Sequence, residues 1–546
     1  APVSCRAKME TEENAPEHYT FAVIGGGIAG VSCVEQILEF DPDASILLIS
    51  SSPVVKVATQ VTRLSKTLED FIVLEKSLKS FKDVHQSVRV VHGVVAELLP
   101  EQHLVVTKDG EKFHYKKICI CTGASPKVLF PGWEHVVGIR DTESVAELAK
   151  RISKAKKVLL LGNGGIATEF VHEVSGVDIV WAIKDKSISA HFVDPGAAEF
   201  FIQSKLSNTN QTKDSSLPTT TKQTSCDQGS SFPENEAVHS TDSGSEVSVT
   251  SAQAQDIDIE NETKKISPSK RRKYTISSIS AEPQTRSQDD NSFGSALGPD
   301  WHQNVNLRGQ NLMKNVEILY EKECVGIRKT GSETEEWPIL ADLNDRTIIG
   351  CDLVISATGV LPNCTLFEYC EQEPEKGIFI DSAMKTSVPD VYAAGDVCFS
   401  KWSWSKHWFQ MKLWTQARQM GLYAGKSMFL TVRNELDPED ATEIDLDFCF
   451  ECFSHVTRFF GFKVVLLGLF NGQGLDKSKQ HLLIRCTKNL EYIKLVFEDW
   501  RLQGAILIGD TGLEETFENL ILNQVDLSSY GEDLLNPDVD IEDYFD

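Results

Sequence analysis

Phe21-Ala-Val-Ile-Gly-Gly-Gly-Ile-Ala-Gly30 is the stretch that decides the fold, because a short apolar run passes there without a break into a glycine-rich turn. The run suits a buried parallel strand, and the G-x-G-x-x-G turn then opens a helix. Gly25 permits the tight turn, Gly27 lets backbone N–H groups approach a pyrophosphate, and Gly30 lets the helix lie close to the strand. A second strand over residues 45–49 completes a βαβ unit, so this stretch predicts a dinucleotide site.

The end of that second strand departs from the usual pattern. Most dinucleotide sites place an acidic residue there to bind the adenosine ribose, but this chain has Ser50 and Ser51. We therefore expect the ribose contact to be weaker than usual or to come from a hydroxyl group.

A second unit of the same kind begins at Lys157-Val-Leu-Leu-Leu161 and continues as Gly162-Asn-Gly-Gly-Ile-Ala167. Alanine stands at the third glycine position, which is a permitted variant. Gly162, Gly164 and Ala167 are the candidate nucleotide-binding residues, and Glu169 follows on the predicted helix.

The strand that follows the second turn ends in Lys184, Asp185 and Lys186. An acid at this position favours the 2′-hydroxyl of NAD, whereas a lysine such as Lys184 can accept the 2′-phosphate of NADP. The alternative is that all three are solvated charges, so the choice between NADH and NADPH stays open.

Three further strand ends carry polar residues. Two apolar strands end in a hydroxyl and a glycine, namely Thr122-Gly123 and Thr358-Gly359, and a third delivers Gly395-Asp396. Ligands of open α/β sheets bind outside the carboxyl ends of the strands, so these residues are candidate site residues.

Length and composition bound the possible functions. A chain of 546 residues with a net charge of -26 is multidomain, and its charge disfavours direct binding to nucleic acid. No apolar run approaches a membrane span, and residues 1–18 lack the apolar core of a secretory signal. Residues 207–290 are rich in Ser, Thr, Gln, Asp and Glu, which predicts a disordered insertion.

Together these motifs resemble the pyridine nucleotide-disulfide oxidoreductase superfamily. The resemblance implies an α/β fold with two nested Rossmann-like dinucleotide-binding domains, for FAD and NAD(P), plus a small C-terminal α+β domain and the long disordered insertion. It implies that Gly25, Gly27, Gly30, Ser50, Ser51, Thr122, Gly123, Gly395 and Asp396 bind FAD, and that Gly162, Gly164, Ala167, Glu169, Lys184 and Gly359 bind NAD(P). The predicted domains are an N-terminal extension (1–18), an FAD domain (19–150 and 351–430), an NAD(P) domain (151–206 and 291–350), the insertion (207–290), an interface domain (440–535) and an extended acidic tail (536–546).

A closer resemblance, to an animal branch of this superfamily, is carried by motifs such as Gly294-Ser-Ala-Leu-Gly-Pro-Asp-Trp301 and Leu527-Ser-Ser-Tyr-Gly-Glu-Asp-Leu-Leu535. It implies FAD as cofactor, NADH or NADPH as reductant, and a setting in the nucleus, the cytoplasm and the sarcomere of muscle. It also implies a protein partner, a tRNA-splicing RNA ligase complex that the protein guards against oxidation.

The cysteines do not supply the disulfide that the superfamily's name promises. No cysteine lies between Leu47 and Ile118, and the single CxxC, Cys449 to Cys452, falls in a predicted strand, where its thiols point to opposite faces. No metal site is predicted either. The sequence therefore predicts an FAD-dependent NAD(P)H oxidoreductase without a dithiol, and the alternative is an FAD- and NAD(P)H-loaded protein-binding module with little turnover.

Two features are expected to act on the flavin. Lys56 resembles a basic flavin neighbour of reductases in the superfamily and is the one candidate catalytic residue. A helix predicted over residues 407–428 would direct its N-terminus at the flavin and stabilise the negative charge of the reduced form.

Overall fold

The structure, a computed structural model, describes residues 17–139, 142–206, 305–330, 336–402, 405–539, 541 and 545, together with the backbone of strands 247–253 and 272–276. The α-helices in this part of the chain are α1 (Ile28–Phe40), α2 (Leu78–Val84), α3 (Thr142–Ile152), α4 (Gly165–Glu173), α5 (Pro195–Phe201), α6 (Trp414–Leu436) and α7 (Glu514–Asn523). A π-helical turn, Ile202–Leu206, continues α5, and 3-10 turns lie at Pro100–Gln102, Thr365–Phe367, Gly395–Val397, Pro438–Asp440, Phe448–Phe450, Lys477–Lys479 and Gly531–Leu535.

The first large sheet is built around the first glycine turn. Its strands lie in the order Val88–His92, Ile46–Ser50, Glu17–Ile24, Lys112–Ile120, Leu104–Thr107 and Val95–Leu99, and Val391–Ala393 also pairs with Lys112–Ile120. The strands around Glu17–Ile24 are parallel, so their carboxyl ends meet at one edge. That edge carries the first glycine turn and the strand ends before Thr122 and Asp396.

The second large sheet repeats this arrangement around the second glycine turn. Its strand order is Val136–Gly138, Leu353–Ser356, Lys157–Leu161, Asp178–Ala182, Lys314–Leu319 and Arg272–Ile276. The first five strands are parallel and the last is antiparallel. The fold class with two nested Rossmann-like domains is therefore confirmed.

The second sheet corrects the predicted domain boundaries. Strands Val136–Gly138 and Leu353–Ser356 were predicted to belong to the FAD domain, but Val136 pairs with Val354, and Leu353 pairs with Val158 of the second sheet. An apolar strand pattern predicts burial but does not say which of two parallel sheets the strand joins.

The C-terminal part forms a third sheet that is antiparallel throughout. Its strand order is Val247–Gln253, Gln480–Thr487, Glu491–Glu498, Arg501–Ile508, Phe462–Gly468 and Ser454–Phe459, and α7 packs on it. Phe460 and Gly461 both have positive φ, as a two-residue hairpin turn requires. The strand begins only at Ser454, so the prediction that Cys449 lies within it is wrong. Cys449 instead lies in a 3-10 turn.

Smaller sheets complete the fold. They are Val54–Arg63 with Glu69–Ser77, Ala124–Pro126 with Val360–Pro362, Cys324–Lys329 with Ile339–Leu343 and Ile348–Cys351, and Gln372–Glu373 with Gly377–Ile380 and Cys398–Ser400.

The chain ends and the insertion differ in part from expectation. Glu17 and His18, predicted as extension, belong to the first strand. Ile541 is buried, and Phe545 packs on the ring of Tyr530, so these residues of the acidic tail are not extended into solvent. Within the predicted insertion, strands 247–253 and 272–276 each pair with a sheet edge, and its other residues lie outside the described ones.

Candidate functional site

The first glycine turn has the geometry that a dinucleotide-binding loop needs. Gly25 has φ +121°, and a Cβ there would lie 2.2 Å from the carbonyl oxygen of Cys121, so only glycine fits. A Cβ on Gly30 would lie 1.9 Å from the carbonyl oxygen of Gly25, so α1 lies close against the turn. By contrast, a Cβ on Gly27 would meet nothing within 4 Å, since Gly27 faces open space at the start of α1. A pyrophosphate fits that space.

The second glycine turn repeats these features. Gly162 has φ +125°, and a Cβ there would lie 2.0 Å from the carbonyl oxygen of Ala357. Gly164, which precedes α4, again faces open space with nothing within 4 Å of a Cβ. Ala167 is fully buried at the third position. This turn therefore also has room for a pyrophosphate at a helix N-terminus.

Both turns open into one cleft of about 1120 Å³. Its walls include most of the predicted site residues, namely Gly25, Gly27, Ser50, Ser51, Lys56, Thr122, Gly123 and Asp396 from the first site and Gly164, Glu169 and Gly359 from the second. Among the predicted residues, Gly30, Gly162, Ala167, Gly395 and Lys184 do not line it.

Three helices begin without a side-chain cap at the wall of this cleft. They are α1, α4 and α6, and none of them has an acidic residue in its first turn. By contrast, Ser77 caps α2 and Asp194 caps α5, both outside the cleft. An uncapped N-terminus presents unpaired N–H groups and positive potential, so the cleft is suited to anionic groups.

The two serines at the ribose position differ in availability. The Ser50 hydroxyl is buried, donates to the carbonyl of Ser52 at 2.9 Å and accepts from the N–H of Ser52. Ser51 is exposed and lines the cleft. Of the two candidates, Ser51 is therefore the better placed to donate to a ribose.

Asn363 anchors the loop that follows strand Lys112–Ile120. Asn363 was not predicted from the sequence. Its N–H donates to the carbonyl of Gly123, its side-chain amide donates to the carbonyl of Thr122, and its carbonyl accepts from the Thr122 hydroxyl. The Thr122 hydroxyl is thus committed to the protein. No local pattern marks Asn363, because its partners lie more than two hundred residues away in the chain.

Lys412 links the start of α6 to Asp396. Its Nζ donates to the Asp396 carbonyl at 2.6 Å and to the Lys376 carbonyl, and both Lys412 and Asp396 line the cleft. Burial lowers the pKa of Lys412, although Asp396 acts in the opposite direction. The helix begins at Trp414 and not near residue 407, because the backbone of His407 instead pairs with Cys452 and Phe453.

Lys56 lies on the strand that follows Ser50. Its N–H donates to the carbonyl of Gly26, which places it beside the first glycine turn. It is directly opposite the buried Glu75 in the antiparallel register, and both residues line the cleft, as Glu169 does from α4. Charged side chains from both dinucleotide domains therefore face the same space.

The charged residues that follow strand Asp178–Ala182 do not lie where the sequence predicted. Lys184 is exposed and does not line the cleft. The Asp185 carboxylate accepts a hydrogen bond from the side-chain amide of Asn163, which lies in the second glycine turn. The side-chain oxygen of Asn163 in turn accepts from the N–H of Ser189. Asp185 is therefore bound to the glycine turn. Lys186 lines a second, smaller pocket of about 490 Å³ beside Tyr320.

Lys314 closes the far end of α4. Its Nζ is buried and donates to the carbonyls of Val171, His172 and Val174, at 2.7, 3.1 and 2.6 Å. Burial lowers the pKa of Lys314 to about 8, which leaves it mostly charged at neutral pH. A cation at the C-terminus stabilises this helix, whose N-terminus faces the cleft.

The described residues hold no cluster of three or more His, Cys, Asp or Glu side chains that could bind a metal ion. Among the helices of the described chain, none combines the length and the apolar composition needed to cross a bilayer.

Comparison with known families agrees with this site. Residues 19–195 and 298–421 match the family model for pyridine nucleotide-disulphide oxidoreductase, and residues 457–525 match the rubredoxin NAD+ reductase C-terminal domain. The two matches cover both dinucleotide units and the antiparallel C-terminal domain.

Individual relatives give the same result. The chain is 41% identical to human pyridine nucleotide-disulfide oxidoreductase domain-containing protein 1, over 98% of this chain and all of the human protein. Its fold is similar to that of putidaredoxin reductase in its covalent complex with putidaredoxin (TM-score 0.57, 12% identity, 96% of this chain and 100% of that one). It is also similar to the water-forming NADH oxidase of Lactobacillus brevis (TM-score 0.55, 15% identity, 94% and 92% coverage). The chain therefore belongs to the pyridine nucleotide-disulfide oxidoreductase family.

Proposed function

We propose that this protein is an FAD-dependent NAD(P)H oxidoreductase that passes reducing equivalents to an external acceptor without a redox-active dithiol. The observation that carries the proposal is the single cleft into which both glycine turns and the uncapped N-termini of α1, α4 and α6 open. Two sites with separate openings would not bring two dinucleotides together.

The chain's own residues bind and orient the reactants. When bound, FAD supplies the redox chemistry by accepting a hydride from the nicotinamide. The N–H groups at Gly27 and Gly164 hold one pyrophosphate each, and Asp396 binds the ribityl chain, as the family resemblance implies. The N-terminus of α6 stabilises negative charge on the reduced cofactor.

The described cysteines support the absence of a dithiol. Cys119 and Cys121 have their sulfur atoms 3.5 Å apart, and both side chains are buried. Hydrogen bonds with Cys121 and Cys33, together with burial, raise the pKa of Cys119 well above its usual value. The hydrogen bond with Cys119 lowers the pKa of Cys121, but burial and the neighbouring Cys33 together raise that pKa above its usual value. A buried, protonated thiol is a poor redox nucleophile.

The acceptor is proposed to be dioxygen, a quinone or a protein. The similar folds support two of these classes, because one belongs to a reductase in complex with the protein putidaredoxin and one to a water-forming NADH oxidase. The resemblance noted from the sequence supports a role beside a tRNA-splicing RNA ligase complex, in the nucleus and cytoplasm and in the sarcomere of muscle.

Rapid mixing of the FAD-loaded protein with NADH or NADPH under anaerobic conditions tests the proposal. We expect the visible absorbance of the oxidised flavin to disappear quickly and to return quickly when oxygen, a quinone or a candidate protein acceptor is added. Both half-reactions must be fast for an enzyme.

A different outcome would support the alternative function. A long-lived reduced complex with long-wavelength absorbance, which no acceptor reoxidises efficiently, would contradict the enzyme and indicate a nucleotide-loaded protein-binding module.

We expect Lys186, and not Lys184, to determine preference between the two nucleotides. Neither lysine lines the cleft, but Lys186 lines the smaller pocket beyond the strand end and Lys184 lines neither space. Loss of one exposed charge pair costs up to about 1 kcal/mol, so Lys186→Ala should weaken NADPH binding about fivefold and leave NADH binding unchanged. The measurement is titration of each nucleotide into the FAD-loaded protein.

Lys184→Ala is the matched control, because it removes the same charge two residues away. An equal loss of NADPH affinity in the two variants would show that only general electrostatics is at work. No loss in the Lys186 variant would contradict the assignment.

A further inference from the structure

The C-terminal domain forms a third wall of the cleft. Its strand Ser454–Phe459 places His455, Thr457 and Phe459 in the lining, and alternate residues of a strand share one face. No residue of this strand was predicted to belong to the site. The third wall exists only because this domain packs against both dinucleotide domains.

The two ends of that strand face different partners. The ring of Phe459 would lie 3.7 Å from a Cβ on Gly165, at the start of α4 and hence on the NAD(P) side. His455 lies four residues away, about 13 Å along an extended strand. There its Nδ1 is 3.0 Å from the hydroxyl of Thr415, in the first turn of α6.

His455 has one ring nitrogen to spare. The side chain is only 2% exposed, and among the described residues Nε2 has no hydrogen-bonding partner although the residue lines the cleft. Burial lowers the pKa of His455 to about 3, so the ring is neutral at physiological pH. A nearly buried polar atom without a protein partner indicates a ligand that satisfies it.

The surroundings of Nε2 indicate the chemistry of that ligand. His455 contacts Thr415, in the first turn of α6, through Nδ1, and the N–H groups at the start of that helix have no side-chain cap. Lys412, just before the helix, donates to the carbonyl of Asp396. His455, Lys412, Asp396 and the first residue of α6 all line the cleft, so several hydrogen-bonding groups face a ligand there. The pyrimidine edge of a flavin, with its alternating carbonyl and N–H groups, is a ligand that can pair with both donors and acceptors of this kind.

We infer that His455 is a flavin-binding residue contributed by the C-terminal domain, and that its Nε2 hydrogen-bonds the pyrimidine edge of the isoalloxazine while Thr415 orients the ring. The inference rests on the proposed function, since it takes FAD as the ligand of the first glycine turn. It makes the C-terminal domain part of the cofactor site.

The test is a titration of the full-length apoprotein with FAD, in which binding is measured by the quenching of flavin fluorescence. Loss of one hydrogen bond of about 0.5–1.5 kcal/mol predicts that His455→Leu weakens FAD binding about 2- to 10-fold. His455→Gln, which can restore a hydrogen-bonding group near the position of Nε2, should bring the affinity back to within about twofold of the wild type. Thr415→Val should weaken binding in the same direction as His455→Leu.

His407→Leu is the matched control. His407 is also buried in this region, but its Nε2 is 3.1 Å from the Gln503 side chain, and it does not line the cleft. This variant should keep the wild-type affinity for FAD. Thermal unfolding of each apoprotein separates a loss of binding from a loss of fold, and His455→Gln and Thr415→Val decide the matter if His455→Leu does not fold.

Two outcomes would overturn the inference. One is a folded His455→Leu protein that binds FAD as the wild type does. The other is a selective loss of NAD(P)H affinity with FAD binding unchanged, which would place the nicotinamide at Nε2. Failure of the wild-type protein to bind FAD would instead defeat the proposed function and is recognisable without any variant.

Discussion

Gly164→Val should give a folded protein that keeps its FAD but is no longer reduced by NAD(P)H. A Cβ on Gly164 meets no protein atom within 4 Å, and the backbone there, with φ -90° and ψ -176°, is allowed for valine. The new methyl groups would occupy the space that a pyrophosphate needs. Loss of two charge-assisted hydrogen bonds predicts at least about a 100-fold slower reduction of the flavin at a fixed NAD(P)H concentration.

The measurement is anaerobic stopped-flow reduction of the purified variant, with dithionite as a reductant that needs no nucleotide site. Dithionite should bleach the flavin of the variant and of the wild type equally. Normal reduction by NADH or NADPH would contradict the assignment of the second glycine turn to NAD(P).

Gly27→Val should remove FAD and leave the rest of the structure in place. Gly27 also faces open space, and its backbone at φ -71° and ψ 177° accepts a side chain. Changing the residue before α1 costs on the order of 1 kcal/mol of helix capping, which is not enough to unfold a typical domain. Blocking the pyrophosphate should weaken FAD binding by about 100-fold or more, so the protein should purify without colour.

The readouts are the flavin content after purification, FAD titration of the apoprotein and its thermal unfolding. Gly25→Ala is unsuitable for this purpose, because its Cβ would collide with the carbonyl of Cys121 and the strained backbone would disrupt the fold itself. Gly164→Val serves as the control, since it should keep its FAD. If Gly27→Val retains stoichiometric FAD, the first glycine turn does not bind it.

The elements that could be predicted are those with a local cause. The run Phe21–Ile24 followed by Gly25 specifies a strand and a tight turn through sterics that act within a few residues, and the structure shows both, with φ +121° at Gly25. The same holds for the turn at Gly162.

The predictions were less accurate where contacts that no local pattern shows decide the conformation of the backbone or the position of a side chain. The helix after Asp396 begins at Trp414 because the backbone at His407 pairs with Cys452 and Phe453, which lie some forty-five residues further on. Ser50 was a candidate on position alone, but its hydroxyl is committed to Ser52. Lys184 was a candidate for the same reason, yet it lies outside the cleft.

The sequence by itself determined that there are two dinucleotide units, because each depends on glycines at fixed spacing and on a strand and helix beside them. Only the tertiary structure decided that the two turns open into one cleft, and that His455 of the C-terminal domain lines it. The physical reason is the separation in sequence over which the two kinds of interaction act. Backbone sterics act between neighbours in the chain, whereas the walls of the cleft are set by packing between segments hundreds of residues apart, whose partners no local pattern encodes.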